Sequence, residues 1–292
     1  MIICGIDEAG RGCLAGSLFV AGVVCNEAVL KNGLEKELLQ IGIKDSKKLS
    51  KTTRYKLESK LNEIAQLRHF VIEKSATEID GKGLSVCLKE ALERIMQEVI
   101  KMACKRDKSA QNLQNPQIIT QVQNPQNLQE IQNPKSTNPQ EIRFYFDGNS
   151  AFGASVASAI NSVNIAMCHI NATLECIIKG DEKIALISCA SIYAKCAKDT
   201  QSTNLAKIYP QYDLAKNAGY GTKSHINAIL KYGISPIHRA SFCAKLASVG
   251  NLVDFKADFN NVDFSQNSCI ADFQHTKSKQ SKSSNKNQPS LF

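Results

Sequence analysis

Gly5-Ile6-Asp7-Glu8-Ala9-Gly10-Arg11-Gly12 stands close to the start of the chain. The run that leads into it, Met1 to Ile6, is apolar and isoleucine-rich, the composition of a buried strand. That strand ends on two adjacent carboxylates, followed by glycines on either side of Arg11. Acids at the end of a buried strand are costly unless their charge is compensated. Successive strand side chains point to opposite faces. Asp7 and Glu8 are therefore expected to share a site only where the strand stops and the chain turns. Gly10 and Gly12 permit such a turn and let backbone N–H groups approach a ligand. Taken alone, the same residues also fit a β-turn with solvated acids.

Outward from this stretch, Leu18 to Cys25 reads as a second apolar strand and a hairpin partner for the first. Ser50 is placed to cap a helix, and Leu57, Leu61, Ile64 and Ala65 follow at helical spacing. Leu67 to Ile72 gives a third strand. From Leu84 the apolar set Leu88, Ala91, Leu92, Ile95, Met96, Val99 and Ala103 predicts a long amphipathic helix. Ile142 to Phe146 returns to strand and ends on Asp147-Gly148-Asn149. Ala151 to Asn164 carries no clear period. Cys168 to Ile178 is strand-like and runs into Lys179-Gly180-Asp181. Ile187, Ala190, Ala194 and Ala197 form a further helical stripe with Asp199 near its end, and His225 to Tyr232 reads as a short helix.

Two segments break this alternation. In 107–140, Gln, Asn and Pro fill 19 of 34 positions, and Gln-Asn-Pro recurs at 114, 123 and 132. With no glycines and few units it cannot bury a core, so it predicts a disordered surface insertion. After about Gly250 the chain becomes polar, with a Lys/Ser run, and predicts a flexible tail over 251–292. The catalytic body is thus expected within 1–250.

Apolar residues make up 43% of the 292, enough for a real core, and the formal net charge is +9. Both polar segments are nearly balanced in charge, so the basic excess belongs to the body. A basic body around an acidic pocket suits a polyanion handled through bound metal, although surplus charge also serves solubility. The 11 cysteines show no C-x-x-C pair and no zinc spacing. Several lie in apolar segments, which fits buried thiols in a reduced, cytoplasmic protein. No signal segment is expected before the first strand, and no apolar run is long enough to span a membrane.

Asp7, Glu8, Asp147 and Asp181 all stand at element ends. Strands alternating with helices gather their ends on one sheet edge. Carboxylates crowded there repel, and some stay protonated unless cations intervene. Oxygen ligands without His or Cys select Mg²⁺ or Mn²⁺ over zinc. Two such ions can activate water and stabilise a leaving oxygen in phosphodiester cleavage. On spacing alone, the same acids are equally readable as unrelated turn residues.

Seven stretches settle the choice. Gly5 to Gly12, Asp45-Ser46-Lys47-Lys48-Leu49-Ser50, Asp147-Gly148-Asn149, Lys179-Gly180-Asp181, Ser188 to Lys195, Gly219-Tyr220-Gly221-Thr222-Lys223-Ser224-His225 and His238-Arg239-Ala240-Ser241-Phe242 occur in order. In that order they resemble type 2 ribonuclease H, the ribonuclease HII family, over residues 2 to about 246 apart from the insertion. The resemblance implies an α/β fold: a ribonuclease H-like mixed sheet flanked by helices, with a C-terminal helical extension. It implies endonucleolytic cleavage of RNA in RNA–DNA hybrids and of single ribonucleotides embedded in DNA, leaving 5′-phosphate and 3′-hydroxyl ends, in DNA replication and repair.

The resemblance also assigns roles. Asp7, Glu8, Asp147 and Asp181 match the metal-binding, catalytic acids, and Asp199 matches a frequent acid of the helix, read as structural. Gly10-Arg11-Gly12 matches the turn that reads the 2′-hydroxyl at the RNA-to-DNA junction, a group that is both donor and acceptor. Tyr220 matches the tyrosine that packs on the following deoxyribose. Lys47, Lys48 and Lys179 are expected to contact phosphates. His225, His238 and Arg239 are read as hydrogen-bonding the site edge. Cys13 stands where proline is usual, and Cys189 replaces a common alanine; little effect is expected from either. The C-terminal Gln288-Pro289-Ser290-Leu291-Phe292 resembles the short peptide by which bacterial replication proteins bind the sliding clamp, with Gln288, Leu291 and Phe292 as its anchors. The expected assembly state is a monomer. Two other readings stand beside these: a hybrid-binding protein without catalysis, which the intact acids disfavour, and a transposase or integrase on the same fold, which leaves the Gly-Arg-Gly turn and Tyr220 without a purpose.

Overall fold

A computed structural model describes residues 1–43, 49–113, 139–163 and 170–247. In chain order the elements are β1 (Ile2–Ala9), β2 (Leu18–Asn26), α1 (Glu27–Val29), α2 (Glu35–Gln40), α3 (Lys51–Glu63), β3 (Arg68–Lys74), α4 (Ala76–Lys82) and α5 (Leu84–Leu113). After these come β4 (Gln140–Asp147), α6 (Val156–Ser162), β5 (Ile170–Ile177), α7 (Gly180–Lys183), α8 (Ala185–Ile208), α9 (Leu214–Asn217), α10 (Lys223–Tyr232) and α11 (Ala240–Ala247).

The strands form one mixed sheet in the order β3-β2-β1-β4-β5. β1 is central. It pairs antiparallel with β2 and parallel with β4, and β4 pairs parallel with β5. The expected hairpin of the first two strands is therefore present. Alternation along β1 divides the core. Ile2, Cys4 and Ile6 join the side chains of β4 and α5 on one face, whereas Ile3 and Ala9 join those of α3 and α8 on the other. Gly5 explains how closely α8 lies on this second face: a Cβ there would stand 2.4 Å from the backbone nitrogen of Ile187.

Helix starts follow their local chemistry. The Ser50 hydroxyl accepts from Thr53 N–H and opens α3, as its sequence suggests. Ser75 and Glu78 form a reciprocal capping box at α4. Three expectations are adjusted. β1 does not stop at Ile6 but continues through both acids to Ala9. α5 runs on to Leu113, into the segment read as an insertion. The stretch without a clear period contains α6, capped by Ser155. Residues 114–138, the clamp-like peptide Gln288 to Phe292 and the rest of 251–292, and Lys47 and Lys48 lie outside the described residues.

Candidate active site

Parallel pairing sets the site. Ile6 lies opposite Phe146, so the next residues, Asp7 and Asp147, stand side by side on neighbouring strands. Asp147 in turn lies opposite Ile177, the last residue of β5. Lys179 then takes a left-handed conformation (φ 55°) and turns the chain into the single turn of α7, which carries Asp181. Asp7, Asp147 and Asp181 thereby each offer a carboxylate oxygen, all within 4.8 Å of one another.

The carboxylates are held from behind. Glu8 N–H donates to Asp7 Oδ1 (2.8 Å), and Gly180 N–H donates to Asp147 Oδ1 (2.7 Å). Ser188 Oγ–H donates to the Asp181 carbonyl (2.5 Å), tying α7 to α8. Burial, the largest influence, raises the Asp7 pKa to about 6; the Ser191 hydroxyl and Lys195 ammonium pull it down, while the Asp147 charge pushes it up. Glu8 is raised to about 8, first by burial and then by the Asp7 charge, with Arg11 opposing. Both acids thus hold protons more tightly than usual unless a cation replaces them.

Glu8 stands apart from the three aspartates. The strand continues through it, so alternation sends its side chain to the opposite face from Asp7. It is not among the residues able to share one ion with the three aspartates. Its Oε1 lies 3.7 Å from Arg11, and its Oε2 is buried with no hydrogen-bond partner. Three converging carboxylates suit a hard divalent cation, as does an orphaned buried carboxylate oxygen on Glu8 that feels the Asp7 and Asp147 charges, and the donors are all oxygen. The residues present therefore fit Mg²⁺ or Mn²⁺.

The opening turn and the Tyr220 loop form one seam. Gly10 has φ 92°, and a Cβ there would stand 2.7 Å from the Ser17 carbonyl, so this turn needs glycine. Cys13 bridges to Tyr220 in antiparallel register, and Leu14 N–H donates to the Gly219 carbonyl (2.8 Å). Cys13 is fully buried in this seam. Tyr220 is 45% exposed beside the turn. Arg239 spans from below: its Nε donates to the Gly16 carbonyl and an Nη to the Arg11 carbonyl, both at 3.0 Å.

The two histidines complete the support. Ser235 N–H donates to His238 Nδ1 (3.0 Å), which leaves the proton on His238 Nε2. That nitrogen faces His225 Nε2 at 3.2 Å, and His225 Nδ1 donates to the Tyr220 carbonyl (2.9 Å). The chain of bonds works only with both rings neutral. Burial lowers the pKa of each, that of His238 to about 4. Asp199, read as structural, is bound to Arg54 at 2.6 and 3.1 Å.

Sequence reasoning gave no individual role to Ser191 and Lys195, four residues apart on the buried helix α8 and facing Asp7; that spacing was their signal. It also passed over Phe152. This residue has φ 55°, and its ring lies 4.7 Å from the Arg11 guanidinium. Nothing in the local sequence marks that contact.

The family model described as Ribonuclease HII matches residues 4–245. The chain is 41% identical over 241 residues to a ribonuclease HII of Helicobacter pylori J99, covering 82% of this chain and 88% of that protein. Among solved structures, it is similar to ribonuclease H2 from Pyrococcus horikoshii OT3, with TM-score 0.54 and 24% identity over 85% of this chain and 98% of that one. It is also similar to the PCNA:RNase HII complex from Archaeoglobus fulgidus, with TM-score 0.53 and 23% identity over 82% of this chain and 94% of that one.

Proposed function

Because this chain belongs to the ribonuclease HII family, and is thus a metal-dependent ribonuclease of a family that acts on RNA–DNA hybrids, we propose that it cuts the RNA strand of such hybrids and single ribonucleotides embedded in duplex DNA. The products carry 5′-phosphate and 3′-hydroxyl ends, and the roles are ribonucleotide removal and primer removal in DNA replication and repair. The observation that carries this reading is the approach of Asp7, Asp147 and Asp181 within 4.8 Å, next to a glycine turn and an exposed tyrosine.

In this reading Asp7, Glu8, Asp147 and Asp181 hold a pair of Mg²⁺ or Mn²⁺ ions. When bound, such ions supply an activated water and stabilise charge at the attacking and leaving oxygens. The chain's own groups set the geometry. The Glu8 and Gly180 N–H groups fix the orientation of Asp7 and Asp147. Lys195 offsets negative charge beside Asp7. The Gly10-Arg11-Gly12 backbone reads the 2′-hydroxyl, and Arg239 holds that backbone through the Arg11 carbonyl. Tyr220 packs against the deoxyribose after the junction. Lys179 and Lys47 take phosphates.

We assign catalysis to 1–250 in a monomer and a tethering role to 251–292. The Archaeoglobus fulgidus protein is in complex with PCNA. That supports reading Gln288-Pro289-Ser290-Leu291-Phe292 as a clamp-binding peptide, which raises local concentration at DNA. Loss of clamp binding on deletion of 288–292 is the expected result, and unchanged binding refutes this part. Among the described residues no helix is long and apolar enough to cross a membrane, and the described cysteines are free. Buried free thiols support the cytoplasm as the compartment.

The deciding experiment uses a labelled duplex with one internal ribonucleotide, incubated with Mg²⁺ or Mn²⁺. A single cut on the 5′ side of the ribonucleotide is expected. Cleavage of an all-DNA control, or a cut elsewhere, overturns the junction reading.

A further inference from the structure

A cavity of about 510 Å³ opens at the end of β1, walled in part by Ala9, Arg54, Lys195, Lys198 and Tyr220. Lys198 is its unusual member. The side chain is 3% exposed, yet its ammonium has no hydrogen-bond partner. The Cys13 sulfur and the Asp199 carboxylate favour its charged form, but by less than burial opposes it. Asp199 takes two bonds from Arg54. The Cys13 thiol donates to the Ala218 carbonyl (3.6 Å). The Tyr220 ring offers only its face, 5.4 Å from Lys198 Nζ.

The rest of the wall does not repay this charge. Lys51, Lys195, Lys198, Lys216 and Arg54 face one carboxylate, Asp199. Lys51 and Lys195 already donate to Thr203 and Ser191. The Lys198 stem runs beneath Gly10, whose Cβ, if present, would lie 3.1 Å from Lys198 Cδ. The buried ammonium thus sits directly under the opening turn and against Tyr220. Burial, and then the Arg239 charge, work against keeping it charged. A buried ammonium with no hydrogen-bond partner is retained at a cost to stability that an incoming anion would reduce.

We propose that this cavity is a phosphate subsite, in which Lys198 Nζ pairs with one phosphodiester group of the bound duplex next to the sugar held by Tyr220. The proposal rests on the hybrid-cleaving reading above. It makes Lys198 a residue that binds and registers the strand, set apart from the acids that cut it.

The test measures binding of the full chain to an RNA–DNA hybrid without divalent metal, as a function of salt, for wild type, Lys198→Met and Lys198→Arg. A neutral methylphosphonate replaces each phosphate in turn along either strand. Lys198→Met is expected to weaken binding about tenfold and to reduce the slope of log K against log salt by about one. Lys198→Arg should retain most of the affinity. One methylphosphonate position should weaken wild type but not Lys198→Met. Because the Met variant removes an unpaired buried charge, its ligand-free melting temperature should equal or exceed that of wild type, which separates a binding defect from misfolding. Hybrid binding that is intact, with no position coupled to Lys198, refutes the subsite and leaves the cleavage reading standing. Absence of hybrid binding by wild type overturns both.

Discussion

Replacing Asp7 by Asn should raise stability while abolishing activity. Asp7 is 4% exposed, and burial chiefly lifts its pKa from 3.8 to about 6. That difference corresponds to about 3 kcal/mol. The folded protein keeps this proton to higher pH than the unfolded chain does. Stability without metal therefore falls as pH rises from about 4 to about 6, and the full penalty persists above that. Asn carries no such charge and can still accept the Glu8 N–H bond made by Oδ1 (2.8 Å). It also relieves Glu8, whose pKa of about 8 owes part of its elevation to Asp7. The two effects share one source and do not add. In urea melts without metal, Asp7→Asn should match wild type below about pH 4. At pH 8 it should be more stable by about 2 kcal/mol, or roughly 4–8 °C for a domain of this size. Saturating Mn²⁺, at about 100 times its Kd, should stabilise wild type by about 2.7 kcal/mol and the variant much less. A metal-free variant less stable than wild type at pH 8, or one retaining the full Mn²⁺ shift, would refute the reasoning.

Other outcomes follow from the same geometry. His238 alone should contribute a loss of about 3 kcal/mol as pH falls from about 6.5 toward 4, opposite in sign to the Asp7 contribution, because burial and then His225 hold its pKa near 4 while the unfolded chain protonates earlier; the stability difference between wild type and His238→Gln in denaturant titrations should therefore shrink by about that amount across this range. Arg54→Met should cost about 3–5 kcal/mol by stranding Asp199, whose side chain is 12% exposed, and Arg54→Met with Asp199→Leu should recover part of it in thermal melts. Tyr220→Ala should weaken binding of a ribonucleotide-containing duplex by about 1–2 kcal/mol, roughly tenfold, whereas Tyr220→Phe should bind normally; equal loss in both would point to the hydroxyl instead of the ring face.

The strand pattern of β1, the apolar stripe of α5 and the Ser50 cap were all legible from residue order, because each depends on neighbours within a turn or a pleat. The family and its fold were legible from seven short stretches in sequence. Glu8 was harder. Whether it shared a side of the sheet with Asp7 depended on where β1 ends, and β1 ends at Ala9 because its pairing with β2 continues to Phe19. Such pairing partners lie far apart in sequence, so local pattern could not fix the boundary.

The chain order alone established which acids stand at element ends, that glycines flank Arg11, and that polar segments interrupt and follow the body. Those are properties of single residues and their immediate neighbours. Only the folded molecule decided that Asp7, Asp147 and Asp181 meet, because parallel register aligns β1 with β4 and a left-handed Lys179 turns α7 back toward them. It alone also left Lys198 buried without an acceptor, since that depends on α8 lying against β1 and the Tyr220 loop. Charge compensation in a protein interior is set by neighbours in space, and sequence distance carries little of that information.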